Sequence, residues 1–261
     1  EPAILERVGV LIGKELELTQ EEIKAQQDRV LLRYQPSSRA RAIVNPRSSG
    51  GRTKLLWPEL ATRLSRELGP FDTVFTNGPM AAMQLTASAL KDGVEHIISV
   101  GGDGTVNEVV NGFFEGDHPI NPHATLSIIT SGTGADFRRT FGTPDDMDLQ
   151  LQRVVDGETH AIDLGMLTYR DDATATTRKR YFDNVASFGM SGMADKVVNQ
   201  LTFAKKFGGK FAFQWGTLKA LLGYKGQRVR LRVDDTFDEI LDINTVAVCN
   251  GCYFGGGMKI A

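Results

Sequence analysis

Residues 96–112 read HIISVGGDGTVNEVVNG. The β-branched run from His96 to Val100 predicts a short buried strand. Gly101-Gly102-Asp103-Gly104-Thr105 then breaks the pattern, and apolar residues at Val106, Val109, Val110 and Phe113 return at helical spacing over 106–114. The segment is a strand, a glycine turn holding one carboxylate, and a helix start. Glycines let a backbone take positive φ and approach a ligand with no Cβ in the way, and a helix N-terminus offers unpaired N–H groups to an anion. The turn suits a phosphate. The same pattern also serves as an ordinary Gly-rich βα turn of a doubly wound sheet.

Outward from this stretch the chain alternates short strands and helices. Residues 42–44 predict a strand, 45–51 (NPRSSGG) a loop, and Leu56, Leu60, Leu64 and Leu68 a helix. Strands follow at 71–76 and 126–130 and a helix at 81–90, with Ser131-Gly132-Thr133-Gly134-Ala135-Asp136 forming a third Gly-rich loop. Such alternation implies a mainly parallel sheet with helices on both faces, because parallel neighbours need crossover connections. After a helix at 147–155 the texture turns to strands, at 160–167, 181–188, 228–233 and 240–249, with a polar hairpin-like connection over 171–180. These predict an antiparallel second half. Residues 1–38 read as an appended helical segment, with Thr19 and Glu22 in capping-box spacing. The organisation is therefore 1–38 appended, 39–158 an α/β domain, and 159–261 a β-rich domain.

With 261 residues the chain can bury two modest cores, and 41% apolar with 24% charged residues is ordinary for a globular protein. No apolar run approaches the ~20 residues of a spanning helix. Net charge is −2, so no global pull toward nucleic acid exists, and no nucleic-acid motif is present. Cys249 and Cys252 are spaced like a redox or zinc pair, but no second ligand pair or matching histidine spacing accompanies them. They read as two reduced thiols of a cytoplasmic protein. The chain opens on Glu1, as a trimmed N-terminus would, with no signal segment.

Loops leaving the carboxyl ends of strands in an open α/β sheet converge on one crevice. The loops at 45–51, 101–105 and 131–136 all leave such ends, so one nucleotide can touch all three. Arg47 adds charge, and Asp103 is suited to orient Mg2+ or a ribose hydroxyl. Neither a P-loop run nor a G-x-G-x-x-G after the first strand is present.

Asn45-Pro46 with its Ser-Gly turn, Gly101-Gly102-Asp103-Gly104-Thr105 with Asn107-Glu108, Gly132-Thr133-Gly134 with Asp136-Phe137, and Asn250-Gly251 with Gly255-Gly256-Gly257 resemble the motifs of the diacylglycerol kinase catalytic family. That family includes bacterial lipid kinases and the sphingosine and ceramide kinases, and the match runs from Ala40 to the last residue. The resemblance implies a nucleotide domain like that shared with NAD kinase, then a β-sandwich incomplete at its C-terminus, with ATP in the cleft between them. It implies ATP contacts at Asn45, Pro46, Arg47, Ser48 and Ser49, at Thr76, along Gly102, Asp103, Gly104, Thr105, Val106, Asn107 and Glu108, and at Thr133. Asp103 is the implied catalytic residue, the acidic side chain near the phosphates and metal, with Mg2+ as cofactor. Two departures stand out. Ala135 replaces the asparagine usual in the third motif. The chain also stops at Met258-Lys259-Ile260-Ala261, where the family continues toward a structural Mg2+ segment and an Asp-Gly-Glu general base, so a fragment of a longer protein is expected.

Phosphoryl transfer to a lipid hydroxyl asks for positioning and electrostatic support, which glycine loops, Mg2+ and a carboxylate supply. Asp103 and Asp136 are the motif carboxylates of the cleft. Asp136 is equally suited to capping the helix that starts at Phe137, and Asp163 fits a structural place at the domain junction. Residues 201–232 hold eight Lys/Arg and no acid, interleaved with Phe203, Phe207, Phe211, Phe213, Trp215 and Tyr224. The stretch fits either an anionic membrane surface, with the protein peripheral at the inner face of the membrane, or an ordinary core with solvated charges. A lipid acceptor such as diacylglycerol or a sphingoid base is the expected partner, and a homodimer is compatible. NAD kinase shares the glycine turn, but its T-P-T-G-S-T-A-Y string is absent. A non-catalytic nucleotide or lipid binder is the alternative of a different class.

Overall fold

The computed structural model describes residues 39–130, 134–171, 174–190 and 226–260. The appended segment 1–38, Thr133 and residues 201–225 of the basic-aromatic stretch lie outside the described residues. The first half runs β1 (Ala40–Val44), a 3-10 turn (Ser48–Gly51), α1 (Arg52–Leu68), β2 (Asp72–Phe75), α2 (Ala81–Lys91), β3 (His96–Gly101) and α3 (Asp103–Gly112). A small hairpin of β4 (Phe114–Glu115) and β5 (His118–Pro119) precedes β6 (Thr125–Thr130), a short α4 (Asp136–Thr140) and α5 (Met147–Asp156).

Four strands pair in parallel in the order β2-β1-β3-β6. Alternate residues of these strands feed opposite faces, as the pleat requires. Ala42, Val44, Ile98, Val100 and Ile129 pack under Trp57, Leu60, Leu64 and Leu68 of α1 and Leu151 and Val154 of α5. On the other face Ile43 and Ile97 meet Ala82, Ala89 and Leu90 of α2 and Val109 of α3. The sheet is doubly wound, and the winding reverses between β1 and β3. That gap between two neighbouring strand ends is where such sheets bind ligands. Asp146 caps α5 by accepting from Leu149 N at 3.0 Å. At the end of β6, the Gln150 carboxamide accepts from Thr130 N at 2.8 Å and donates to Thr130 O at 3.3 Å, doing the work of a missing fifth strand.

The second half is antiparallel, as its texture predicts. β7 (Gly165–Asp171) pairs with β8 (Thr176–Phe182), and β9 (Val185–Gly189) is followed by β10 (Gln227–Val233), which pairs with β11 (Phe237–Ile243). β12 (Thr245–Cys249) returns to β9, and β13 (Tyr253–Phe254) pairs with β14 (Met258–Lys259). Four expectations need correction. The strand expected over 160–167 begins only at Gly165, because the Asp163 carbonyl is held at 2.7 Å by the distant Asn250 Nδ2. The polar connection over 171–180 is largely ladder, since its threonines and long-stemmed cations tolerate a ribbon with both faces wet. The run 181–188 is two strands, broken where the Asn184 carbonyl accepts from both Asn250 N and Gly251 N at 2.8 Å. The run 240–249 divides at Asn244, whose carbonyl takes Met190 N.

α3 fastens the halves together. The Asn111 carboxamide donates to Tyr181 O and accepts from Tyr181 N, both at 2.9 Å, and the Phe114 and Tyr181 rings stack at 4.2 Å. A side-chain amide thereby terminates the free edge of β8.

His96, at the start of β3, is buried, bonded through Nε2 to Ser127 Oγ at 2.8 Å, and burial pulls its pKa down to about 4. The folded state therefore keeps it neutral, while the unfolded chain protonates it near pH 6.5. Stability attributable to this residue is complete above pH 6.5 and lost as pH falls toward 4, amounting to about 3 kcal/mol. Urea unfolding across that range is expected to show this slope, and His96→Gln, whose amide reaches the Nε2 position without titrating, to flatten it.

Candidate functional site

The gap between β1 and β3 is spanned by side chains of the first two loops. Asn45 N donates to Val100 O at 2.8 Å, and Asn45 Nδ2 donates to Thr105 Oγ1 at 3.0 Å. Its Oδ1 accepts from Arg47 N at 3.0 Å, an Asx turn that sets the loop. Ser48 Oγ donates to the Asn45 carbonyl at 3.1 Å. Ser49, Gly50 and Gly51 follow with φ of 53°, 67° and 95°, a left-handed run that turns the chain into α1. Thr76 closes the neighbouring edge, its N–H on Val44 O at 2.9 Å.

Asp103 is not in the turn but is the first residue of α3, with Gly102 as N-cap. A carboxylate there is favoured by the helix dipole. Thr105 folds back over Gly101, where a Cβ would lie 2.5 Å from its Oγ1, so the position requires glycine. The N–H groups of Thr105 and Val106 both return to the Gly102 carbonyl. Helix geometry gives the N–H groups of Asp103 and Gly104 no intrahelical acceptor. The Asp103 carboxylate accepts from Asp136 N at 3.2 Å and Phe137 N at 3.3 Å, capping α4 from another helix. Burial raises its pKa above the ordinary carboxylate range, those two donors pull it back, and the Asp136 charge raises it again.

The remaining polar residues of the motif are fasteners. Glu108 accepts from Met80 N at 3.0 Å and Ala82 N at 3.1 Å, capping α2. Asn107 Nδ2 donates to Tyr181 O at 3.1 Å and to Asp183 Oδ1 at 2.9 Å. Val106 is buried with Val110 and Phe137, so its side chain faces the core and not the cleft. Asp136 does not cap its own helix. It takes Arg139 Nη1 and Gly256 N, each at 2.7 Å, and so holds the Gly255–Gly257 turn. Ala135, where the resemblance implies asparagine, has φ 49°, a left-handed conformation asparagine adopts more readily.

Beside the first loop lies a groove of about 710 Å³, lined by Pro46, Arg47, Gly50, Gly51, Lys54, Trp57, Pro58 and Phe75. Sequence reasoning missed Lys54, Trp57 and Phe75. The signal was present in α1, whose first turn carries Arg52 and Lys54 and no acid, against the preference of a helix dipole. It also missed Asp183, 3% exposed in the kink between β8 and β9. Burial raises the Asp183 pKa, and the charge of Asp103 adds to the rise. Cys249 and Cys252 are free thiols. Partial burial and the neighbouring Cys252 raise the Cys249 thiol, the direction opposite to redox activation. Among the described residues no group of three His, Cys, Asp or Glu could hold a metal, and no helix is long and apolar enough to cross a membrane.

The architecture is a parallel doubly wound domain with a glycine turn at its switch point, followed by an antiparallel half. Residues 39–167 match the diacylglycerol kinase catalytic domain, and residues 184–261 match the YegS C-terminal NAD kinase beta sandwich-like domain. The chain belongs to the diacylglycerol kinase catalytic-domain family, in its YegS-type arrangement. A diacylglycerol kinase of Staphylococcus carnosus is 29% identical over 197 residues, 75% of this chain and 59% of that protein. The protein named probable lipid kinase YegS-like in Chromohalobacter salexigens is 29% identical over 217 residues, 82% of this chain and 61% of its own length. The chain thus spans less than two thirds of these relatives. The crystal structure of a diacylglycerol kinase from Bacillus anthracis str. Sterne is similar in fold, with TM-score 0.59 and 22% identity, covering 84% of this chain and 68% of that one.

Gly101→Ala forces Cβ into Thr105 and is expected to cost about 1–3 kcal/mol. Urea midpoints should fall accordingly, and Thr105→Ala in the same chain should recover part of the loss.

Proposed function

We propose that this chain is the core of an ATP-dependent lipid kinase that transfers the γ-phosphate to a lipid hydroxyl, diacylglycerol being the acceptor named by its relatives. The observation that carries this reading is the Asn45–Thr105 bond, which joins the first loop to the glycine turn at the strand-order reversal, beside a groove with two aromatic rings and two cations. In this reading the phosphates lie over the first turn of α3, near the N–H groups of Asp103 and Gly104. Arg47 and Lys54 supply positive charge, and the base and ribose lie against Pro46 and Phe75, whose ring is 51% exposed. The transition state spreads charge over phosphate oxygens, so fixed donors and cations do most of the work.

Mg2+ fits the donor type available. It is usually held by one or two carboxylates together with substrate phosphates, and Asp103 offers a carboxylate whose oxygens each keep a lone pair beyond their single N–H donor. When bound, the ion would neutralise phosphate charge. Asp136 accepts from Arg139 and Gly256 and anchors the C-terminal glycine turn. The acceptor hydroxyl is presented from a membrane surface.

Incorporation of radiolabelled phosphate from ATP into diacylglycerol micelles tests the reading. Asp103→Asn keeps an acceptor for α4 and is expected to lower transfer about 100-fold or more with the fold retained. Undiminished turnover in that variant would count against the role of Asp103. Phe75→Ala is expected to weaken ATP binding roughly tenfold, read by calorimetry.

A further inference from the structure

Asp183 is a buried carboxylate that the proposed chemistry leaves unused. It sits where β8 ends, 3% exposed, and its carboxylate is met by the neutral amide of Asn107. A charge in such a place is costly unless its hydrogen bonds matter. Its side-chain bond goes to Asn107 Nδ2, at 2.9 Å, and its carbonyl accepts from Asn250 Nδ2 at 2.8 Å. Asn107 lies one turn after Asp103 on α3, and its second N–H is taken by the Tyr181 carbonyl. Both donor hydrogens of Asn107 thus point into the second half. Asn107 therefore reaches across the domain seam and is not free to donate to a nucleotide.

We propose that Asp183 is a positioning residue for phosphoryl transfer, fixing Asn107 and with it the rotation of α3 that aims the Asp103 turn at the phosphates. The inference rests on the kinase reading above. A brace of this kind acts on geometry at the reacting end of the helix, where small misplacements cost rate more than binding.

Asp183→Ala, Asp183→Asn, Asn107→Ala and the double alanine variant of the full chain test it, with folding followed by circular dichroism. Asp183→Ala is expected to lower kcat at least about tenfold with the KM for ATP within about threefold. Asp183→Asn, which offers an amide oxygen in the same place, is expected to hold kcat within about threefold of wild type. Asn107→Ala is expected to match Asp183→Ala, and adding Asp183→Ala to it should lower kcat by less than about twofold, because the two act as one unit. Full kcat in Asp183→Ala, a change in KM alone, a multiplicative double variant, or an Asp183→Asn as impaired as alanine would each overturn the role. Should Asp183→Ala not fold, Asn107→Ala and Asp183→Asn decide: loss in the first with retention in the second supports the role, and any other pattern overturns it. Wild-type protein that transfers no phosphate would instead overturn the kinase reading and this role together.

Discussion

The amide group of Asn45 crosses the one gap in the sheet where neighbouring strands send their chains in opposite directions, and it lands on the Thr105 hydroxyl. Together with the bond from Asn45 N to Val100 O, it holds the two loops in register at the strand ends. With it, the first loop, the glycine turn and the start of α3 form a single rigid rim. The constraint propagates. Thr105 can receive Asn45 only because it folds over residue 101, and residue 101 can be covered only because it has no side chain. Glycine is thus demanded here by close packing and not by backbone φ.

From that rim outward, the polar side chains of the motif serve neighbouring helices. Asp103 caps α4, Glu108 caps α2, and Asn107 and Asn111 hold β8. The N-cap residues of α2 and α4 are Met80 and Ala135, with positive φ and no capping side-chain bond of their own, so each helix borrows a carboxylate from α3. A single helix therefore organises the first turns of two others and the border with the second half. Preorganisation of this kind costs no rearrangement when charge arrives. The acidic residues Asp103 and Glu108 lie close to backbone N–H groups because each satisfies the open donors of a neighbouring helix.

The parallel sheet and its helices were legible in the sequence because burial there follows strict periods: alternate residues of β1 and β3 enter opposite cores, and Leu60, Leu64 and Leu68 line one face of α1. The glycine turn and the first loop were legible for the same local reason. Strand limits in the second half were not, since the breaks at Asn184 and Asn244 are made by carbonyls bonding to distant backbone, which no window around 184 or 244 contains. Asp183 escaped notice because nothing next to it in sequence announces burial, and its partner lies 76 positions away. Glu108 and Asn107 were assigned to the nucleotide by motif, whereas their side chains are occupied within the protein.

Two of the fasteners at the border, Asn111 and Asn250, are each followed directly by glycine. Asparagine is among the residues that heat degrades chemically. Hydrolysis of either amide would replace a donor by an anion facing the carbonyls of Tyr181, Asp163 or Asp183, turning attraction into repulsion without touching the apolar cores. The working lifetime of the two-domain arrangement is therefore governed by covalent ageing at these sites as well as by the folding equilibrium.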